Sequence, residues 1–361
     1  MKVKYIKDLK KIDQLPTSEV QVLEEVAKEY PFRSNTYYNS LIDWDDPDDP
    51  LRHLVVPNTD ELKRWGQLDA SEEELYQHVP GIEHKYKNTV LLLCNDVCAA
   101  YCRFCFRKRL FQPDNDEVVR DVSQGVAYIK QHPEVDNVLL TGGDPLIMST
   151  SRLENIIEQL LDIEHVRNIR IGTKIPAFNP YRVTQDGELL KALEKYGKKK
   201  QIYVMGHFNH PRELTEEALM CLKMFREVGA AVVLQTPIIR KINDHPEVLG
   251  SLFEQLSFHG FQPYYVFACR PTAGNSSLAV PIEEAFEIYR EAVKNVSGLA
   301  KTARFIMSHK VGKLEIVGLS EKHIFFRNHN LVDSEKNGEI SLYQRNADAY
   351  WLEDYADRKI S

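Results

Sequence analysis

Three cysteines within eight residues are the strongest chemical signal in this sequence. Cys98, Cys102 and Cys105 have the spacing C-x3-C-x2-C and follow a short apolar run that predicts a strand. A tight loop with this spacing directs three thiolates towards one place, and a cubane [4Fe–4S] cluster held by three thiolates keeps one iron open to another ligand. A zinc site completed by a distant ligand is the alternative interpretation, and chance spacing is a third.

Further polar residues occur where other predicted strands end. Gly142, Gly143 and Asp144 follow the second strand, where glycines permit a close backbone approach and a carboxylate suits a positively charged amine. The same three residues are also typical of an ordinary turn. The third, fourth and fifth strands end in Thr173, Lys174, His207, Asn209 and Gln235. Parallel strands end at one barrel mouth, so we expect these side chains there, although a lone histidine is more often structural.

The elements that must position these residues alternate between strand and helix. Apolar runs rich in β-branched residues predict six buried strands over 89–94, 137–141, 168–172, 201–206, 230–236 and 263–268. Helical spacing predicts helices over 119–131, 152–161, 188–196, 213–228, 246–258 and 283–296. This alternation predicts an α/β fold with a parallel sheet, namely a partial (β/α)6 TIM-like barrel over residues 85–310. An open doubly wound sheet is the alternative architecture.

The two flanks have different patterns. Residues 1–84 predict a mainly helical N-terminal extension, in which the acidic tract from Asp43 to Asp49 is expected to form a solvated surface of turns. Residues 311–361 predict a short antiparallel β extension, because apolar and polar residues alternate over 314–319, 323–327 and 339–343.

Composition restricts the class of partner. The chain has 361 residues, and 46 Lys and Arg against 53 Asp and Glu give a net charge of −7, which does not fit a general nucleic-acid binder. No apolar run approaches the roughly 20 residues of a membrane span, and the first residues show no secretory leader. We therefore expect a cytoplasmic protein with reduced cysteines and a small-molecule partner. Cys94, Cys221 and Cys269 are expected to be small buried hydrophobes.

The cysteine spacing at the first strand of a βα barrel resembles the radical S-adenosylmethionine superfamily, in which the open iron binds the amino and carboxylate groups of the methionine moiety. The segments SLIDWDDPDDPLRHLVVP, LLTGGDPL, IRIGTKIP and HFNHPRELT are similar, in this order, to the lysine 2,3-aminomutase family. This resemblance runs from about Tyr37 to about Ala268 and identifies the chain as a divergent member. It implies a [4Fe–4S] cluster on Cys98, Cys102 and Cys105.

The resemblance also implies where ligands bind. The loop Gly142–Asp144 would hold the amino group of S-adenosylmethionine, and we expect the strand-end side chains to contact the same molecule. These are Thr173, Lys174, His207, Asn209 and Gln235. Arg107, two residues after the third cysteine, would hold the substrate's carboxylate with its planar fork. For Arg103, Lys108 and Arg109 the alternatives are phosphate binding and a structural role.

Two departures from the family pattern concern the substrate and a second cofactor. Lysine-specific members carry an aspartate after the cysteine of the sixth strand, where this chain has Arg270, and another in the seventh strand, where it offers Ser308 or His309. A distal ammonium would be buried there without a counter-charge, so we expect a substrate other than free lysine that meets Arg270. The family ties pyridoxal phosphate to a lysine after a glycine-rich loop; KVGK makes Lys313 the first candidate and Lys310 the next.

These features together predict a radical isomerase of the aminomutase type. It would cleave S-adenosylmethionine reductively, with flavodoxin or ferredoxin as an external electron donor, and the resulting radical would abstract hydrogen from an amino-acid-like substrate. A homo-oligomer is left open. One alternative keeps the radical step without pyridoxal phosphate and gives another rearrangement, a dehydrogenation or an elimination. A second alternative is a non-catalytic iron–sulfur or zinc protein, which would leave the GGD and HFNHP motifs without a task.

Overall fold

A computed structural model describes residues 2–360 of the chain. Its strands are β1 (Tyr5–Ile6), β2 (Ser34–Asn35), β3 (Gln77–Val79), β4 (Ile82–Tyr86), β5 (Thr89–Asn95), β6 (Asn137–Gly142), β7 (Asn168–Thr173), β8 (Gln201–His207), β9 (Ala231–Pro237), β10 (Pro263–Phe267), β11 (Arg304–His309), β12 (Gly312–Leu319), β13 (His323–Leu331) and β14 (Ile340–Gln344). Its α-helices are α1 (Thr17–Glu29), α2 (Thr36–Asn39), α3 (Pro50–Val55), α4 (Ser123–Gln131), α5 (Thr150–Leu161), α6 (Ile175–Phe178), α7 (Tyr181–Thr184), α8 (Gly187–Gly197), α9 (Glu216–Glu227), α10 (Pro246–Phe258) and α11 (Ile282–Lys294).

One curved sheet organises the molecule. Its twelve strands follow the order β14-β13-β12-β11-β10-β9-β8-β7-β6-β5-β4-β3. Strands β5 to β11 are parallel, and the strands at both flanks pair antiparallel. Six helices, α4, α5, α8, α9, α10 and α11, connect the seven parallel strands in turn. The sheet is not closed, because β3 and β14 remain as edges. The partial (β/α)6 barrel and the antiparallel C-terminal extension are thus confirmed.

Local sequence explains the main elements. Polar side chains cap the helices that connect the parallel strands: Ser149 accepts from the amide at the start of α5, Asp186 at α8 and Thr215 at α9. Every predicted strand and helix is found, with ends that differ by at most four residues. Strand β11 lies outside the six predicted strands, because its apolar run is short and leads at once into a hairpin.

The two faces of the parallel strands differ in exposure. Val138 and Leu140 of β6 and Ile169 of β7 are fully buried against the outer helices. Their neighbours Leu139 and Arg170, which point to the opposite face of the sheet, are only partly buried. The interior of the curved sheet is therefore an accessible lumen rather than a filled core.

Side chains join the two flanks of the sheet across this lumen. Lys85 in β4 donates to the carbonyl oxygen of His309 at 2.6 Å, and Lys313 in β12 donates to the hydroxyl of Tyr86 at 3.0 Å. The hydroxyl of Tyr76 donates to the carbonyl oxygen of Lys310 at 2.9 Å. These contacts bring β3 and β4 close to β11 and β12 without strand pairing.

The N-terminal extension does more than pack as a separate helical unit. Its last part contributes β3 and β4 to the sheet, and residues 59–79, here called the mouth strap, run along the barrel mouth. Gln67 of the strap forms a bridge with Thr272 after β10. The acidic tract consists of exposed turns as predicted, except that Asp49 is fully buried and caps α3. Among the described residues no helix is long and apolar enough to cross a membrane.

Candidate active site

The three-cysteine loop follows β5 and is held in place by the N-terminal extension. The amide of Tyr101 donates to the carbonyl oxygen of Arg33, and the amide of Arg103 to that of Leu54, both at 2.9 Å. The Arg103 side chain, 3% exposed, forms a two-pronged pair with Glu61 of the mouth strap, with distances of 2.9 and 2.7 Å. Backbone and side-chain contacts therefore define the loop conformation.

Burial disfavours the thiolate forms of the three cysteines, and nearby cations oppose this effect. Burial raises the pKa of Cys102 to about 12, while Lys174 acts in the opposite direction. Burial also raises the pKa of Cys98 and Cys105, and nearby arginines oppose this shift in both cases. A bound metal centre and these cations would together stabilise the thiolates.

The arrangement of the thiols bears on the kind of centre. Cys102 and Cys105 both raise the pKa of Cys98, and Cys105 also raises that of Cys102, so the three thiols are neighbours. Within residues 2–360, however, no group of three His, Cys, Asp or Glu side chains is placed to hold a single metal ion. A zinc ion needs its thiolates within about 2.3 Å of one point, whereas the cysteines of a cubane bind separate irons. The described side chains therefore do not present a preformed three-ligand site for a single ion.

The glycines after β6 are required by the protein itself. A Cβ atom on Gly142 would lie 2.4 Å from the carbonyl oxygen of Asn95, and one on Gly143 would lie 2.6 Å from that of Val97. Gly142 also has a φ of +107°, in the region that favours glycine. The close backbone approach foreseen for this loop is therefore an approach to the segment that leads into the cysteine loop.

Asp144 uses its carboxylate inside the protein. One oxygen accepts from the amide of Leu146 at 3.0 Å and the other from the amide of Lys174 at 2.7 Å, and both accept from the hydroxyl of Thr173. Burial raises the pKa of Asp144 to about 6 although these donors act against it. Asp144 and Thr173 thus join the ends of β6 and β7.

Unpartnered polar atoms gather at the ends of β8 and nearby segments. Lys174 is buried between Glu213, at 2.9 Å, and the side-chain oxygen of Asn209, at 2.8 Å. The other end of that amide, Nδ2 of Asn209, and Nε2 of His207 are buried without a partner. Burial lowers the pKa of His207 well below its ordinary value, with Lys174 adding to the effect, so the ring is neutral. Gln235 of β9 lies beside His207 in the sheet register.

Arg107 is the centre of a buried charge network. Its guanidinium donates to both oxygens of Glu73 at 3.1 and 2.8 Å, to Glu83 at 3.1 Å and to the Thr141 hydroxyl at 3.2 Å. Arg109 donates to Glu73 at 2.9 Å. Burial raises the pKa of Glu73, but the neighbouring arginines outweigh it and lower the pKa to about 2. Burial and the charge of Glu73 raise the pKa of Glu83 to about 7.

Arg270 lies beside this network and has a hydrogen-bond donor that is not used within the protein. Its guanidinium stacks 3.7 Å above the ring centroid of Phe106, and its Nη1 is 3.9 Å from Glu73. That Nη1 atom is buried without a hydrogen-bond partner. Arg270 can therefore donate a hydrogen bond to an additional anion or carbonyl oxygen.

Lys313 lies in the lumen, whereas Lys310 does not. Burial lowers the pKa of Lys313 to about 7, and the charges of Arg170 and Arg270 add to this effect. Lys310 instead forms a more exposed ion pair with Glu72 at 2.8 Å, which raises its pKa. Of the two candidate lysines, only Lys313 offers a largely neutral, nucleophilic amine inside the barrel near neutral pH.

Four residues of this site were not among those predicted: Glu73, Glu83, Lys85 and Arg170. Burial lowers the pKa of Lys85 to about 7, with Arg270 and Lys313 as the next causes. A signal existed for Arg170, because a lone charge in the middle of an apolar strand indicates a polar lumen. No local pattern indicated that Glu73 of the extension would meet Arg107.

Comparison with known proteins first defines the class. Residues 92–251 match the family model of the Radical SAM superfamily. A radical SAM methyltransferase from Sphaerobacter thermophilus superimposes on 63% of this chain and 68% of its own, with a TM-score of 0.42 and 16% sequence identity. The family model includes the three cysteines and the polar ends of β6 to β9. This match defines residues 92–251 as a Radical SAM domain.

Relatives along nearly the whole chain define the family more closely. The chain is 53% identical to the "Putative L-lysine 2,3-aminomutase" of Aquifex aeolicus, over 99% of this chain and 96% of that protein. It is 33% identical to the L-lysine 2,3-aminomutase of Clostridium subterminale, over 82% of this chain and 71% of that protein. The chain belongs to the lysine 2,3-aminomutase family.

The buried charge on Lys313 leads to a prediction about stability. Lys313→Met removes a buried amine whose hydrogen bond to Tyr86 supplies no counter-charge, so we expect the free energy of unfolding at pH 7 to rise by about 1–3 kcal/mol. The pKa of about 7 in the folded protein lies below the ordinary 10.5, so the unfolded chain binds more protons between these values and wild-type stability rises with pH there. The advantage of the variant should therefore shrink from pH 7 to pH 10 in urea unfolding.

Lys310→Met is the matched control for this prediction. Lys310 has a raised pKa and an anionic partner, so its removal should leave stability unchanged or slightly lower. Equal stabilisation by both variants, or a gain for Lys313→Met that does not depend on pH, would contradict the interpretation.

Proposed function

We propose that this chain is a radical isomerase that holds a [4Fe–4S] cluster on Cys98, Cys102 and Cys105 and binds S-adenosylmethionine at the barrel mouth. When bound, this pair supplies a carbon-centred radical that abstracts hydrogen from a substrate. One observation carries the proposal: the cysteine loop lies beside the residues with unpartnered atoms, His207 and Asn209. The ring of Phe104 in this loop is 5.8 Å from that of His207, and Lys174, which donates to Asn209, also lowers the pKa of Cys102. Buried atoms of this kind are expected to meet a ligand, because leaving them unpaired is costly.

The protein's contribution is to orient the ligands and to exclude water. Neutral His207 and the amide of Asn209 offer hydrogen-bonding groups at fixed positions, because Lys174 and Glu213 lock the Asn209 side chain. Asp144 and Thr173 keep the ends of β6 and β7 together, so the GGD backbone is held against the cysteine loop. An external electron donor such as flavodoxin or ferredoxin would supply the electron for the reductive step.

The residues of the lumen fit pyridoxal phosphate. Lys313 would hold its carbonyl carbon, and the surrounding cations Lys85, Arg170 and Arg270 would attract its phosphate and the substrate's negative charges. When bound, this cofactor gives the amino group a low-energy route for migration to the neighbouring carbon. The reaction we propose is therefore a 2,3-shift of an amino group.

The charges at the mouth support a substrate other than free lysine. Arg107 would hold the α-carboxylate, as a planar fork suits this group. Arg270, with its unpartnered nitrogen above Phe106, would meet the distal end of the substrate. An acidic or neutral distal group fits a cation at this place, and a distal ammonium would be repelled.

The cluster ligands can be tested by substitution. Cys98→Ala, Cys102→Ala and Cys105→Ala should each abolish iron–sulfur content and the formation of 5′-deoxyadenosine from S-adenosylmethionine in anaerobically reconstituted protein. The matched controls Cys94→Ala, Cys221→Ala and Cys269→Ala should retain both, because those thiols are buried in the apolar core. Iron and sulfide that persist without any of the first three residues would refute the assignment.

Pyridoxal phosphate can be located directly. Incubation with the cofactor followed by borohydride should attach it to Lys313, as shown by peptide mapping, and Lys313→Met should lose the label. Lys85 is an internal comparison, because its pKa of about 7 makes its amine equally nucleophilic. Protein that cleaves S-adenosylmethionine but takes up no pyridoxal phosphate would favour the alternative, a radical enzyme without this cofactor, whose support is the short KVGK loop.

Substrate choice follows from the charge on Arg270. Wild-type protein should convert L-glutamate more efficiently than L-lysine, and Arg270→Asp should shift the ratio of kcat/KM towards lysine by at least about tenfold, as one charge contact allows. Arg270→Gln, which removes the positive charge without adding a negative one, is the control and should shift the ratio less. Efficient conversion of free L-lysine by the wild type would contradict the assignment of the distal site.

A further inference from the structure

Glu73 binds Arg107 with the geometry that a free carboxylate would adopt. Its two oxygens accept from Nε and Nη2 of Arg107 at 3.1 and 2.8 Å, the two-pronged geometry in which an arginine holds a free carboxylate. It is also 2.9 Å from Arg109 and 3.9 Å from Arg270. The three arginines that surround Glu73 are therefore the ones available to an anionic substrate.

A second pair on the mouth strap has similar geometry but another setting. Glu61 holds Arg103 with distances of 2.9 and 2.7 Å. Arg103 also donates to two backbone carbonyl oxygens, those of Pro31 and Tyr30, at 3.0 and 3.2 Å. Arg103 is thus committed to structure, whereas Arg107 donates only to side chains. The Glu61–Arg103 pair therefore anchors the strap, whereas the Glu73–Arg107 pair is a contact at the candidate site.

Two features of the strap around Glu73 permit a local rearrangement. It consists of short turns, and Glu72 has a φ of +48°, a left-handed conformation that a glutamate rarely adopts. Arg109 retains Glu117 through two contacts of 2.8 Å and also reaches Glu73. Glu73 could therefore leave Arg107 and remain paired with Arg109.

We propose that Glu73 is a specificity-determining residue that competes with the substrate's α-carboxylate for Arg107, so that a substrate enters by exchanging its own carboxylate for that of the strap. This inference rests on the proposed function, in which Arg107 binds the substrate. The exchange conserves charge at the mouth, because one carboxylate replaces another beside the same arginines. An amine without an α-carboxylate cannot make this exchange and is excluded.

Binding measurements on the reconstituted holoenzyme with S-adenosylmethionine present test the proposal. L-glutamate should bind to Glu73→Gln at least about tenfold more tightly than to the wild type, since a charge-assisted competitor is removed. Isoglutamine, in which the α-carboxylate is an amide, should show no such gain. Glu61→Gln, the matched control at the anchor pair, should bind glutamate no more tightly than the wild type.

Hydrogen exchange of the wild type gives a second test that needs no substitution. Saturating L-glutamate should increase deuterium uptake over residues 66–79 of the strap, because Glu73 leaves Arg107. Decreased uptake there would overturn the proposal, as would equal glutamate affinity of the wild type and Glu73→Gln, or a similar gain for Glu61→Gln or isoglutamine. If Glu73→Gln does not fold, the exchange result alone decides.

Formation of 5′-deoxyadenosine by the same preparations separates this inference from the proposed function. Preparations that cleave S-adenosylmethionine but show no effect of Glu73 on glutamate binding refute the role of Glu73 alone. Wild-type protein that does not cleave S-adenosylmethionine refutes the proposed function.

Discussion

Charge balance at the barrel mouth is the constraint on which the rest of this structure depends. Arg103, Arg107, Lys108 and Arg109 follow one another in and after the cysteine loop, and none is more than 8% exposed. Buried cations are tolerated only with anions or carbonyl oxygens beside them, because desolvation is costly. The mouth strap provides these partners with the carboxylates of Glu61, Asp69 and Glu73. Electrostatic demand therefore holds the extension over the barrel together with apolar packing.

Backbone hydrogen bonds and apolar packing also couple the cysteine loop to the extension. Backbone contacts from Arg33 and Leu54 support the loop, and Leu51 and Leu54 belong to the same apolar core as the outer faces of the barrel strands. The loop thus lies where two distant parts of the chain meet. A folded extension is a condition for the arrangement of the thiols, so the barrel residues alone do not define the centre.

Four of the buried polar atoms without partners belong to residues of the candidate site. Nε2 of His207, Nδ2 of Asn209, Nη1 of Arg270 and Oε1 of Glu83 are all buried without a partner. Each such atom costs stability, typically about 1–3 kcal/mol, and the depressed pKa values of Lys85 and Lys313 show a similar cost for charge in the lumen. Binding of anionic, amine-bearing molecules, as proposed above, would offset this cost.

The sequence by itself determined the order of strands and helices, because hydrophobic period is a local property; α10 begins and ends where the pattern predicts. It also placed the three cysteines and the polar strand ends at one mouth, since parallel strands end together. Only the tertiary structure decided which groups meet across the lumen. Tyr86 and Lys313 are 227 positions apart and touch because the sheet curls, and Glu73 reaches Arg107 because the strap folds back over the mouth. Periodicity shows which way a side chain faces, but long-range curvature and charge pairing choose its partner.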